Sequence, residues 1–488
     1  MSFDITTAAK MLSAMQGKTV LVIGDVMLDR FVDGHVSRIS PEAPVPVLGQ
    51  SSVRQMAGGA ANVAANMAHL GIAVTLIGVC GDDDAGTTLN NELAHHSGIS
   101  FKPIRIAGRP TSVKTRFRAA GQQILRVDDE TVAPIDADAQ ARCLALVATH
   151  IKSTALVILS DYAKGSLPPK LISALIAAAK QNQKPVIVDP KLVDLSVYRG
   201  ASLITPNLAE LGAATSLADI QLEAIGQAAS KLAQQFDFNH VLTTLSARGM
   251  LLSTASGDQV HDPASARDVF DVSGAGDTVI ATIAGALAAD CGIEDAMRLA
   301  NRAAGVVVGK SGTATVVPGE IISHMEGKPP TTDWHSIASL CTSWRQSGQT
   351  IAFANGCFDM LHPGHLYLLR VAAEQAHHLI VGLNSDRSVK RLKGDSRPAQ
   401  PATMRAAVLA SLPFVDGVVI FDEDTPFELI TTLQPDIIIK GGDYQAAEVV
   451  GADVVAARGG RTVIVPTLPG YSTSELVDRY QCIFGQSL

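Results

Sequence analysis

A chain of 488 residues is too long for one ordinary core, so two or more domains are expected. Its 47% hydrophobic and 4% aromatic content describes an alanine-rich globular protein and excludes a disordered one. The formal net charge of -8 argues against broad nucleic-acid binding, which favours a basic surface.

Cys80, Cys143, Cys291, Cys341, Cys357 and Cys482 are scattered with no Cys-x-x-Cys spacing, so neither a disulfide frame nor a metal site is expected. They read as reduced thiols of a cytoplasmic protein. The first 18 residues are too polar for a signal peptide, and no apolar span is long enough to cross a membrane.

Short β-branched runs alternate with alanine-rich helical stretches, the pattern of an α/β protein with mostly parallel strands. Strands are predicted at 19–24, 74–79, 156–160, 186–189 and 241–245, with helices at 59–70 and from about Gly274. Segments 35–53 and 112–127 alternate like exposed strands and predict a small lid sheet that also serves as a subunit contact. A last β-like run at 313–317 precedes a polar, proline-bearing linker centred on 326–333. A new alternation then predicts strands at 350–354, 379–383, 436–440 and 462–466. No internal repeat is present, so the halves read as a fusion.

Two chemistries stand out. In Asp271-Val272-Ser273-Gly274-Ala275-Gly276-Asp277 the small turn opens an apolar helix, offering backbone N–H groups and a positive dipole end to a phosphate. Asp277 falls in the first turn, where it can take the proton of an attacking hydroxyl. Downstream, Gly356-Cys357-Phe358-Asp359-Met360-Leu361-His362-Pro363-Gly364-His365 puts two imidazoles three residues apart at a helix start, on one side. They suit an α-phosphate gaining charge in its transition state. A pair of metal ligands is the other reading of such histidines. Cys357 needs only to be a loop residue. Lys164, Lys114, Arg116 and Arg118 suit a second substrate phosphate, or equally a solvated charged face.

Further motifs accompany the first: Gly24-Asp25-Val26-Met27-Leu28-Asp29, Gly58-Gly59-Ala60-Ala61-Asn62, Thr205-Pro206-Asn207-Leu208-Ala209-Glu210 and Thr244-Leu245-Ser246-Ala247-Arg248-Gly249. In this order they resemble the ribokinase (carbohydrate kinase) family, with Ser273 where that family often has threonine. The resemblance implies Asp277 as base and Gly274, Ala275 and Gly276 as anion hole. It implies Asp25, Asp29, Gly59 and Asn62 toward the sugar hydroxyls. Asn207, Leu208, Ala209, Glu210, Thr244, Ser246 and Gly249 are implied toward Mg²⁺-ATP. The residues themselves also allow Asp29 to cap a turn and Asn207 to satisfy a strand end.

From about Thr350 onward the chain resembles the cytidylyltransferase-like nucleotidyltransferases, a likeness continued by Asn384-Ser385-Asp386, Lys393 and Ser472-Thr473-Ser474. It implies that Phe358, Asp359, Lys393, Ser472, Thr473 and Ser474 face the nucleotide beside His362 and His365. The segment Thr467-Leu468-Pro469-Gly470-Tyr471 departs from the glycerol-phosphate cytidylyltransferases, whereas Lys440-Gly441-Gly442-Asp443-Tyr444 and Leu392-Lys393-Gly394-Asp395-Ser396-Arg397-Pro398 resemble the sugar-phosphate adenylyltransferases.

The implied fold class is α/β: a ribokinase-like domain with a lid sheet over 1–325, a linker over 326–345, and a Rossmann-like nucleotidyltransferase domain over 346–488. In this order the halves resemble the bacterial bifunctional heptose enzymes of lipopolysaccharide-core synthesis. That resemblance implies phosphorylation of D-glycero-β-D-manno-heptose 7-phosphate at O1, then adenylyl transfer from ATP to heptose 1-phosphate. Mg²⁺ would accompany ATP in both domains, a monovalent cation could assist the kinase, and a homodimer is expected. Alternatives are a sugar kinase joined to a polyol-phosphate cytidylyltransferase, an RNA-charging enzyme disfavoured by the lack of a basic tract, and a non-catalytic nucleotide sensor.

Overall fold

The computed structural model describes residues 3–119, 122–217, 220–265, 272–310, 314–326, 334–346, 348–395, 397–412, 414–442 and 445–466. By contacts the chain divides into two compact units, Met1–Ile321 and Ile322–Leu488.

The strands of the first unit are, in chain order, β1 (Thr19–Gly24), β2 (Val26–Ile39), β3 (Pro46–Gly59), β4 (Ala73–Gly81), β5 (Ile99–Ile106), β6 (Val113–Ala119), β7 (Gln122–Asp129), β8 (Leu156–Ser160), β9 (Val186–Asp189), β10 (Leu203–Ile204), β11 (His240–Thr244), β12 (Met250–Thr254) and β13 (Gln259–Asp262). Nine of them form one sheet in the order β13-β12-β11-β10-β9-β8-β1-β4-β5. It is parallel from β11 to β5, while β12 and β13 add an antiparallel edge.

Successive side chains of a strand point to opposite faces, and both faces here are apolar, as a parallel sheet requires. Leu21, Ile23, Val157, Leu159, Val186 and Val188 pack in one cluster with Leu171, Ile172 and Leu175 of the helix Pro169–Gln181. Their neighbours Val20, Val22, Ile158 and Ile187 are buried as well. The helices Ala60–His69 and Ala275–Ala288 pack on each other and on β1.

The remaining strands form the expected lid, a four-stranded sheet in the order β3-β2-β6-β7. Here β2 pairs antiparallel with β3 and parallel with β6, and β6 pairs antiparallel with β7. The strand β2 starts at Val26, directly after β1, so Asp29 lies within a strand and caps no turn.

Ala314–Val317, read as part of a last strand, has no regular structure. Val316 and Val317 are buried, and Val317 donates its N–H to Glu320 at the start of the helix Pro318–Glu326. Thr313 and residues 327–333 lie outside the described residues.

The second unit has β14 (Ile351–Gly356), β15 (His378–Asn384), β16 (Gly417–Phe421), β17 (Ile437–Gly441) and β18 (Arg461–Val465), all parallel in the order β16-β15-β14-β17-β18. Most of the range read as linker is instead the helix Trp334–Gln346, whose Ile337, Cys341 and Trp344 pack into this unit's core. Among the described residues no helix is long and apolar enough to cross a membrane, and Cys80, Cys143, Cys291, Cys341 and Cys357 are free thiols.

Candidate active sites

In an open parallel sheet, ligands bind beyond the C-terminal strand ends, where the strand order reverses. In the first unit that point lies between β1 and β8, since the chain builds β4 and β5 to one side of β1 and returns with β8 on the other. Asp25 follows β1, and the loop 161–166 follows β8. The Asp25 carboxylate accepts the backbone N–H groups of Tyr162 (2.8 Å), Lys164 (3.0 Å) and Ser166 (3.1 Å). Sequence reading aimed Asp25 at sugar hydroxyls; here it fastens the loop carrying Tyr162 and Lys164.

Asp277 sits at the third position of the helix Ala275–Ala288, whose N-cap is Gly274 at φ +78°. Glycine reaches that left-handed conformation without strain, and the Ala275 N–H that follows donates to the Val272 carbonyl at 3.3 Å. The Asp277 carboxylate is only 5% exposed. Its Oδ2 accepts from Asn62 Nδ2 at 2.6 Å, and its Oδ1 accepts from the Tyr162 hydroxyl. Asn62 is itself held: Asn66 Nδ2 donates to its Oδ1 (3.3 Å), and Thr278 Oγ1 donates to Asn66 Oδ1 (3.0 Å).

Burial raises the Asp277 pKa to about 6, with Asp29 nearby pushing the same way and the Tyr162 and Asn62 hydrogen bonds opposing it. A carboxylate tuned close to neutrality is suited to accept a hydroxyl proton.

The cations singled out by sequence are paired with carboxylates. Arg116 donates to Asp29, Lys164 to Glu130, and Lys114 to Glu130 (2.8 Å) and Asp128 (3.1 Å). Arg118 bridges to Asp33 through Nε (2.8 Å) and Nη2 (3.0 Å). Gly59, at φ +58°, caps the helix Ala60–His69, and a side chain there would lie 2.5 Å from the Asp25 carbonyl oxygen.

Along the same edge Asn207 bridges to Thr244 across the ends of β10 and β11. This brings together two motifs expected at the nucleotide. Asn207 and Glu210 form a reciprocal capping box on the helix Leu208–Thr215, each accepting the other's backbone N–H at 2.9 Å. The second oxygen of Glu210 accepts from Lys191 Nζ at 2.8 Å. Asn207, Ala209 and Glu210 line a depression with Lys191, Leu192 and Val193. Gly249, at φ +89°, closes the turn begun at Ser246.

Sequence reading missed Asp189, at the C-terminal end of β9. Burial, Asp277 and Glu210 together push its carboxyl well up. Its place at a parallel-strand end was the available signal.

In the second unit the strand order reverses between β14 and β17. His362 is the N-cap of the helix Pro363–Glu374, and its Nδ1 accepts from the His365 N–H at 3.4 Å. With Nδ1 accepting, the proton of the neutral ring sits on Nε2, available as a donor. The two imidazoles stack with centroids 3.7 Å apart. Burial, His362 and Lys393 push His365 down to about 4, and burial lowers His362. Both rings are therefore neutral near pH 7.

Two motif residues differ from their expected orientation toward the nucleotide. Phe358 is buried in the core and meets His365 edge-on at 5.1 Å between centroids. Asp359 clamps the following loop: its Oδ1 accepts from Ala399 N (2.7 Å) and Gln400 N (3.3 Å), and its Oδ2 forms an ion pair with Arg397 Nε at 3.0 Å.

Arg405, absent from the sequence reading, lies fully buried behind these loops. It donates to the carbonyls of Cys357, Asn384 (3.0 Å) and Gln400 (2.9 Å), and to Asp386 (2.6 Å). Asp443, Tyr444, Ser472, Thr473 and Ser474 lie outside the described residues. Among the described residues, no cluster of three or more His, Cys, Asp or Glu could hold a metal ion.

The chain matches the pfkB family carbohydrate kinases over residues 18–319 and the cytidylyltransferase-like family over 353–478. The bifunctional protein HldE of Rhodospirillum rubrum is 46% identical over 478 residues, spanning 96% of this chain and 96% of that protein. That of a Caulobacter species is 47% identical over 480 residues, spanning 97% and 98%.

Among solved structures, Arabidopsis thaliana ribokinase complexed with ribose and ATP matches with a TM-score of 0.53 at 21% identity, covering 64% of this chain and 99% of that one. Escherichia coli phosphofructokinase-2 in complex with substrates and products matches with a TM-score of 0.55 at 22% identity over the same shares. Both show the fold of the first unit. The chain is thus a carbohydrate kinase joined to a nucleotidyltransferase, and over nearly its whole length it belongs to the family of the bifunctional HldE proteins.

Proposed function

We propose that the chain makes ADP-heptose in two separated steps. In the first unit, O1 of D-glycero-β-D-manno-heptose 7-phosphate attacks the γ-phosphorus of ATP. The new O1–P bond forms as the bond from γ-phosphorus to the bridging oxygen breaks, ADP leaves, and Asp277 takes the hydroxyl proton. Gly274, Ala275 and Gly276 hold the transferring phosphoryl group at the helix N-terminus. Asn62, Asp29, Gly59 and Asp25 shape the sugar site, and Lys164 serves the distal phosphate.

Mg²⁺, a hard cation that prefers oxygen ligands, would enter with ATP. Glu210 and Asn207 would influence its binding, and Thr244, Ser246 and Gly249 would border the nucleotide. A monovalent cation assisting this half belongs to the same reading; comparing potassium with sodium tests it.

A phosphatase removes the 7-phosphate between the steps. In the second unit, the phosphate oxygen of heptose 1-phosphate attacks the α-phosphorus of ATP, and pyrophosphate leaves as the α–β bridge breaks. This nucleophile is already ionised, with a second pKa of about 6, and needs no base. His362, His365 and Lys393 stabilise the charge growing on the α-phosphate, while Ser472, Thr473 and Ser474 complete the phosphate site. Phe358 and Asp359 support the histidine loop from behind.

The observation supporting this reading most strongly is the buried Asp277 carboxylate at a helix N-terminus, held by Asn62 from a second helix. The domain limits 1–325 and 346–488, a cytoplasmic location, and a homodimer formed through the lid sheet complete it. The lid leaves Ile39, Val45, Val53, Leu125 and Val127 exposed, apolar surface that a second copy would cover.

The test is purified protein with Mg-ATP and either heptose 7-phosphate or heptose 1-phosphate, products resolved by mass spectrometry. The first should give a bisphosphate and ADP, the second ADP-heptose and pyrophosphate. CTP outcompeting ATP with a polyol phosphate would instead favour the cytidylyltransferase alternative.

A further inference from the structure

Asp277 receives a second hydrogen bond that the chemistry above does not use. Tyr162 donates its hydroxyl to Oδ1, while Asn62 holds Oδ2. The tyrosine is placed with little freedom. Its own N–H is bound by Asp25 at 2.8 Å, and the flanking loop is held by the Lys164 and Ser166 N–H groups on the same carboxylate. The next residue, Ala163, has φ +54° and donates its N–H to Asp161 at 2.7 Å. Asp161 in turn accepts from the Tyr198 hydroxyl at 2.6 Å. A side chain mounted this firmly is a fixed part of the site.

The charges around Asp277 are unfavourable to its ionised form. Asp29 and Asp189 act on it or are acted on by it, and burial adds to the penalty. Among the described residues, Tyr162 and Asn62 are the side chains that donate to it. The Tyr162 phenol is itself held well above its ordinary pKa by burial and by Asp277, so it remains a donor at every working pH.

We propose that Tyr162 is a positioning residue of the kinase site, its hydroxyl keeping the Asp277 carboxylate ionised and aimed at the acceptor. Each carboxylate oxygen has two lone-pair directions, so Oδ1 can hold Tyr162 and still receive the sugar hydroxyl. The proposal rests on Asp277 being the base.

The test uses the full chain labelled with carboxyl-¹³C aspartate, with the Asp277 signal identified by its loss in Asp277→Asn. In wild type it should titrate near pH 6. Tyr162→Phe should raise the midpoint by about one pH unit, the worth of one hydrogen bond to a charged group. The acid limb of kinase kcat/KM should move by the same amount, with turnover recovered at higher pH and adenylyl transfer unchanged. Placing 3-fluorotyrosine at position 162, a stronger donor of the same shape, should move the midpoint down.

An unmoved midpoint in both variants, or a loss of kinase turnover equal at all pH values, overturns the proposal. A shifted midpoint with no heptose phosphate turned over overturns the substrate reading and leaves the coupling of Tyr162 to Asp277 standing.

Discussion

Asn62 and Asp277 stand 215 positions apart in the chain, yet their side chains meet at 2.6 Å in the interior. The contact exists because the helices Ala60–His69 and Ala275–Ala288 pack together beside β1. It joins a sugar-side motif to the proposed base. Asp277→Asn keeps the shape and removes the proton acceptor, so bisphosphate formation should fall by about 10²–10⁴-fold. ADP-heptose formation from heptose 1-phosphate should be unchanged. Equal losses in both reactions would point to misfolding and away from a missing base.

The pH dependence of the kinase follows from the same group. Its working form is the carboxylate, and its pKa is raised to about 6. Kinase kcat/KM should therefore be full above that value and fall about tenfold per pH unit below it. Initial rates with saturating Mg-ATP, corrected for ionisation of the sugar phosphate, give the profile. A limb near the ordinary aspartate value would contradict the burial seen here.

Anion binding should recharge the histidine pair. His365 is pushed to about 4 in the free protein, chiefly by burial. A triphosphate beside it favours the imidazolium, so its midpoint should rise on adding ATP. ¹⁵N-histidine spectra over pH, with and without nucleotide, measure this directly; a midpoint indifferent to ATP would remove the histidines from the phosphate site. His365→Ala should abolish adenylyl transfer alone.

Arg405→Met should damage only the second activity. The guanidinium is fully buried and serves three carbonyls and Asp386, so its removal strands several acceptors. A cost of about 3–5 kcal/mol is expected for breaking such a buried pair, read as loss of the second unit's unfolding transition at a lower denaturant concentration. Kinase turnover should persist.

Gly59→Ala probes the junction between β3 and the helix Ala60–His69. The substitution forces a side chain into φ +58° with its Cβ 2.5 Å from the Asp25 carbonyl. A destabilisation of about 1–3 kcal/mol is expected from the backbone strain, visible by thermal denaturation, with kinase activity lowered alongside.

Much of this was legible before any coordinates. The predicted strands at 19–24, 156–160 and 186–189 coincide with β1, β8 and β9, because central parallel strands are nearly continuous apolar runs bounded by turns. The helix start at Gly274 and the stacked histidines were likewise written in local spacing.

Long-range partners were not readable. Nothing near Tyr162 announces that its hydroxyl reaches Asp277, 115 positions on. Arg405 lies on a helix whose pattern gives no hint of a buried guanidinium. Asp359 read as a nucleotide residue because it sits in the histidine motif, while its carboxylate holds the loop at 399–400. The short strand β10 has only two residues, too few to show a period.

The strand order of the large sheet also sets a timetable. β1 leaves the ribosome before either of its neighbours, β4 and β8, and β8 begins only at Leu156. At about 5–20 residues per second of synthesis, the central strand waits several seconds with one edge unpaired. The helix bearing Asp277 emerges later still. Nascent chains of this protein should therefore expose an open strand edge for much of translation, which makes the first unit a natural client of chaperones that shield such edges.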